Sequence, residues 1–167
     1  MGRFYRLYQL FRATTGRITQ QEQNLVEQHL TDCELLLFKR MAYFDQRHCI
    51  DVYTTLVRNG YHDSTLLRAA LLHDCGKVDN NGRTIPLVYY GIFVILERFM
   101  PELYTLAVSK GRGICSPFVI HHTHELRSVQ LVQAAGGSSD IVSLLRDYAD
   151  HRQTPYTQAL QWADNQN

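Results

Sequence analysis

Long apolar runs are missing from this 167-residue chain: the strongest, Leu87 to Leu96, has ten residues. A helix that spans a bilayer needs about 20. No transmembrane segment is expected, and Leu87–Leu96 is expected to be a core helix begun near Pro86, with a lid or a dimer face as alternatives. Cysteine is sparse, and Cys33, Cys49, Cys75 and Cys115 form no C-x-x-C pair, which removes that class of redox and zinc motif. Cys49 and Cys75 fall inside apolar helical patterns, where a thiol behaves as a small hydrophobe. A reducing cytoplasmic setting fits this usage, and no secretory leader is expected because arginines interrupt the early apolar residues. An excess of one charge is lacking too: 17 Lys and Arg against 16 Asp and Glu leave +1. Nothing global therefore attracts DNA. Alternating strand patterns, internal repeats and low-complexity tracts are also absent.

What is there is helical periodicity. Helices are expected over residues 3–13, 20–30, 32–43, 46–59, 64–74, 86–98, 101–109, 117–122, 125–135, 139–150 and 155–165, with turns at Asn59-Gly60, Asp79–Gly82 and Gly136–Ser139. Thr31 with Glu34 has the form of a capping box, and Thr154-Pro155 is a cap followed by an N1 proline. The expected architecture is an all-α bundle with its site between helices. Residues 1–41 would form a helical extension packed on a domain of residues 42–167. The first segment sets Arg3, Arg6, Arg12 and Arg17 among Phe4, Tyr5, Leu7, Tyr8, Leu10 and Phe11. It suits packing on the domain or a homodimer partner, with a membrane surface or RNA as the alternative. Arg6 stands where myristoylation requires serine or threonine.

The run Leu71-Leu72-His73-Asp74-Cys75-Gly76-Lys77 carries the chemistry. His73 and Asp74 follow an apolar helical stripe, and burying two such groups without partners costs several kcal/mol. A divalent cation is the simplest partner, because imidazole and carboxylate both ligate it. Three more helices aim polar groups at the same interior: His48 ahead of Val52, His124 ahead of Leu131, and Asp164 one turn after Leu160. Asp45 is expected to be the N-cap of the helix carrying His48.

With these residues in place, the chain resembles the HD-domain superfamily of metal-dependent phosphohydrolases over about residues 42–167. The resemblance rests on His48, the run Ala70–Lys77 and Ala163-Asp164. It implies an ion held by His48, His73, Asp74 and Asp164, with Asp147 and Asp150 competing for the last place. Relatives with a second ion carry extra histidines, and His124, within His121-His122-Thr123-His124-Glu125, best matches the first of them. Where a further one would fall, the chain has Asp147, Asp150 and His151.

The implied activity is hydrolysis of a phosphomonoester or phosphodiester, most naturally a nucleotide, by a metal-bound water. Asp74 would also orient that water, and Lys77 would meet the phosphate unless it is merely a solvated lysine at a helix end. Arg47, Arg127, Arg146 and the loop Ser109–Gly113 are further phosphate candidates. The ligand types suit Mn, Fe, Co or Ni, with Mg and Zn admissible. The alternatives are a non-catalytic metal- or nucleotide-binding module and an iron oxygenase of the same fold. The Gly-Tyr-Pro signature of cyclic-dinucleotide phosphodiesterases is absent, and His124-Glu125 does not extend to H-E-x-x-H.

Overall fold

Reciprocal caps set the helix starts. Thr19 with Glu22 and Thr31 with Glu34 are capping boxes, and Thr154 pairs in the same way with Thr157. Asp63 accepts the Leu66 N–H at 3.0 Å, and its other oxygen takes the Tyr156 hydroxyl at 2.9 Å. That cap therefore also ties two distant helices. The computed structural model describes residues 16–167, so the helix expected over 3–13 lies outside the described residues.

The described elements are α1 (Gln20–His29), α2 (Asp32–Arg40), α3 (Tyr43–Arg58), α4 (Ser64–Leu72), α5 (Leu87–Phe99), α6 (Pro101–Lys110), α7 (Ser116–Ala134), α8 (Ser139–Ala149) and α9 (Pro155–Gln166). Short 3-10 turns fall at Cys75–Lys77 and Gly113–Cys115. The protein is an all-α bundle, and among the described residues the one extended pairing is a single Val78–Thr84 bridge.

The main core is built by α3, α4, α7, α8 and α9. Val52, Leu56, Leu66, Leu71, Val129, Val132, Ile141, Leu145 and Leu160 meet there, and α1 and α2 add Val26 and Phe38. Burying each Val or Leu stabilises the fold by about 1.5–3 kcal/mol. A second, smaller cluster of Ile85, Phe93, Tyr104 and Phe118 seats the α5–α6 hairpin. There Phe93 and Phe118 pack edge to face, 5.0 Å apart.

Four expectations need correction. The segments 117–122 and 125–135 are one helix, because no Gly or Pro breaks the stretch and Thr123 donates its hydroxyl to Val119 O inside it. Helix α4 stops at Leu72 rather than 74, and the chain tightens into the 3-10 turn Cys75–Lys77, where Gly76 packs directly on α7. Helix α3 begins at Tyr43, so Asp45 sits inside its first turn and caps nothing. Leu87–Leu96 is not a core helix: α5 buries only Phe93 fully and leaves Val88, Ile92, Val94 and Ile95 exposed. A helix apolar on every side has more such surface than the small cluster beneath it can cover.

Candidate metal centre

The end of α4 sets the site. The His73 N–H makes the last helical bond, to Ala69 O at 2.8 Å, and the Lys77 N–H then closes the turn on Asp74 O at 3.0 Å. Leaving helical geometry lets the adjacent His73 and Asp74 side chains converge, whereas consecutive residues within a helix diverge by about 100°. Ser128 of α7 fixes this turn. Its hydroxyl donates to His73 O at 2.6 Å and accepts the Gly76 N–H at 2.8 Å. Gly76 lies so close to α7 that a Cβ would overlap the His124 carbonyl oxygen and come within 2.7 Å of the Ser128 nitrogen. Arg127 completes the tie, donating to Gly76 O at 3.1 Å and to Val78 O at 2.6 Å.

Four expected ligands meet at one point. His48 Nε2 lies 2.9 Å from Asp164 Oδ1 and 3.9 Å from Asp74 Oδ2. His73 Nε2 lies 3.7 Å from each of those oxygens. Ligands about 2.0–2.2 Å from a cation stand about 3 Å apart at right angles and about 4.3 Å apart across it, so this spread suits one ion. His48, His73 and Asp164 accordingly form a group able to hold a metal ion.

The sharpest observation is at His73. Its Nδ1 sits 2.9 Å from Ala70 O, an atom that can only accept, so the proton belongs on Nδ1. That leaves a lone pair on Nε2, buried and without a hydrogen-bond partner, aimed into the cluster. An orphaned buried acceptor is costly unless something occupies the space in front of it. Burial opposes charge on His73, but Asp74 and then Cys49 and Asp164 outweigh it and raise its pKa well above the usual histidine value, so a proton and a cation compete for the Nε2 lone pair of the neutral ring. Asp164 is likewise held far below the ordinary carboxylate range: burial pushes it up, and the hydrogen bond to His48 and the nearby His73 ring at 3.7 Å pull it down further. Tyr148 orients it by donating its hydroxyl to Oδ2 at 3.1 Å.

Cys49, His73 and Asp74 form a second such group. Burial raises the Cys49 thiol pKa, and a neutral thiol is a poor ligand. Its sulfur also faces Nδ1 of His73, at 3.9 Å, rather than the free nitrogen.

A cation partner for Asp74 already exists in the protein itself. Lys77 Nζ lies 2.6 Å from Asp74 Oδ2 and 3.6 Å from Asp45 Oδ1. It also stands 5.5 Å above the Tyr90 ring. Burial disfavours its charge, yet Asp74 and Asp45 raise its pKa well above normal, while burial keeps Asp74 from ionising less than Lys77 and His73 favour it. Lys77 is thus a half-buried ion-pair member and not a solvated helix-end lysine. Asp45 is the residue that sequence reasoning misassigned. It is buried, accepts the Tyr90 hydroxyl at 3.1 Å on both oxygens, and burial raises its pKa.

His124 Nε2 stands 3.3 Å from Asp74 Oδ1, on the carboxylate edge away from the His48 and His73 nitrogens. His121, one turn earlier, points into the α5–α6 cluster. It stacks on Phe93 at 4.1 Å, lies 2.9 Å from the Tyr104 hydroxyl, and burial lowers its pKa to about 3.

Other candidates lie elsewhere. Asp147 and Asp150 sit at the end of α8 and pair with Arg152 at 3.1 and 3.6 Å, beside an exposed His151. Asp164 is the one of the three next to His48. Arg47 is buried between Glu22 at 2.8 Å and Asp51 at 3.1 Å. Arg127 is committed to the turn carbonyls, and Arg146 is exposed on α8. No helix among the described residues is long and apolar enough to cross a membrane. No family model matches the chain, and neither a curated protein nor a solved structure does.

Proposed function

We propose that the chain is a metal-dependent phosphohydrolase of the HD type that acts on a nucleotide phosphate ester in a cytoplasmic setting. One observation carries this reading: the unpartnered Nε2 of His73 faces His48 and Asp164, with Asp74 at the same point. Two nitrogens and two carboxylate oxygens suit Mn, Fe, Co or Ni. A bound dication would lower the pKa of water from 15.7 to roughly 7 and offset charge growing on the phosphoryl oxygens.

The chain's own residues do the rest. His48 and Asp164 are the less buried members, with side chains 20% and 27% exposed, so substrate approaches from their side. His73 and Asp74, almost wholly buried, form the floor. Tyr148 keeps Asp164 oriented, and Asp74 holds a fixed carboxylate beside the attacking water. Lys77 supplies positive charge next to Asp74, where an incoming phosphate would need it, and Asp45 keeps that ammonium in place. His124, on the outer edge of Asp74, is the residue best placed to extend the site toward a second ion.

The test is hydrolysis of a nucleotide panel with Mn, Ni, Co or Mg present. Turnover that requires a cation and disappears in His73→Ala and Asp74→Ala is expected. Background rates with every cation, in a protein that binds one, would replace the enzyme with a metal-binding module.

A further inference from the structure

Helix α5 is apolar on two sides, and one of them packs on the small aromatic cluster. Phe93, Tyr89, Tyr90 and Leu96 face the small aromatic cluster. On the other side Val88, Ile92, Ile95 and Phe99 are 66, 36, 55 and 63% exposed. Scattered exposed apolar residues are ordinary, but a contiguous strip of this kind marks an interaction surface. Its spacing is specific: steps of four, three and four residues are the seam of helices that pack at about +20° with interleaved side chains. Met100, Leu103 and Leu106, also exposed, widen the strip onto α6.

We propose that this strip is the interface of a two-fold homodimer in which α5 of one copy packs antiparallel on α5 of a second. The strip is self-complementary in that arrangement. About an axis between residues 93 and 94, Val88 meets Phe99 of the second copy and Ile92 meets its Ile95, so large faces small at the rim and equals meet at the centre. Charge agrees. The stretch Thr84–Leu96 has no Asp, Glu, Lys, Arg or His, so no charged side chain lies along the seam from Val88 to Ile95. Arg83, just before α5, is brought to the end of the partner helix where Glu102 begins α6. Arg83 and Glu102 side chains are exposed and have no ion pair among the described residues, and each would gain one across each end of the interface. An isologous contact of this kind buries the same strip on both subunits and closes without leaving a free copy of it. The interface also lies behind the site, because α5 carries Tyr90, which holds Asp45.

Sedimentation velocity of the full chain at micromolar concentrations tests this. Wild type is expected to be a dimer, Ile92→Glu and Ile95→Lys each monomeric with an unchanged helical spectrum. Because residue 92 faces residue 95 of the other copy, an equimolar mixture of the two variants regains dimer. A monomeric wild type overturns the proposal, as does an Ile92→Glu protein that stays dimeric. Wild type that is monomeric in solution but binds anionic phospholipid vesicles, with binding lost in Ile92→Glu, assigns the strip to a membrane surface instead. A mixture that fails to regain dimer overturns the antiparallel register.

Discussion

Gly76→Ala should be the most damaging single methyl group that can be added to this protein. The new Cβ would overlap the His124 carbonyl oxygen and stand 2.7 Å from the Ser128 nitrogen and 2.9 Å from Arg127 Cβ. Two of those three neighbours are backbone, so no rotamer change relieves them, and α7 must move from the 75–77 turn. Overpacking of this kind costs about 1–3 kcal/mol. The same movement stretches the Gly76 N–H bond to Ser128 and the Ser128 bond to His73 O, at about 1 kcal/mol for a lost bond. A total of about 2–4 kcal/mol follows, which for a domain of this size lowers Tm by about 4–16 °C. Urea unfolding followed by circular dichroism would measure it, with Ser128→Ala as the milder control at about 1–3 kcal/mol. Because the turn places both His73 and Asp74, Gly76→Ala should also weaken cation binding while the protein is still folded. An alanine variant within about 0.5 kcal/mol of wild type, the range of an ordinary surface change, would refute the close-packed turn.

Glu34, wholly buried, caps α2 and pairs with Arg68 at 2.6 Å; Glu34→Gln keeps an acceptor but removes the charge. Since the Arg68 side chain is 21% exposed, the loss should fall below the 3–5 kcal/mol of a fully buried broken pair, at about 1–3 kcal/mol, and an unchanged urea midpoint would contradict it. Asp63 accepts the Leu66 N–H and then the Tyr156 hydroxyl, which holds its carboxyl below the usual range against a slight opposing effect of burial. A depressed folded pKa contributes stability that is complete above the unfolded value and is lost as pH falls through the folded one. The stability gap between wild type and Asp63→Asn should therefore be widest near neutrality and close in acid; a gap that is constant with pH would argue against it. Tyr148→Phe removes the donor to Asp164 and should weaken cation affinity by about tenfold or more, read by calorimetric titration, with equal affinity as the contrary outcome.

The His73-Asp74 doublet was legible because two ionisable groups close an otherwise apolar stripe, and His48 and Asp164 because each sits at helical spacing from buried residues. Asp45 was not. An aspartate near a helix start is the usual cap type, and only the structure shows that α3 starts two residues before it, at Tyr43, with Ala42 in the cap position and no side-chain cap. Ser128 gave no signal of its own, since its part depends on a turn 52 residues earlier. For α5, composition could not separate core from surface, because a helix without a polar side gives periodicity no direction. The polar cluster His121–Glu125 interrupts the apolar pattern without breaking the helix, which continues through it and sets His124 against Asp74.

The central claim is that His48, His73, Asp74 and Asp164 share one dication. Titration of the apo-protein with Mn(II), with the spin of bound ion followed by pulsed electron paramagnetic resonance, tests it most directly. One ion per chain is expected, with nitrogen couplings from two imidazoles that fall to one in His48→Ala. Binding without nitrogen coupling, or none at all, would contradict the account.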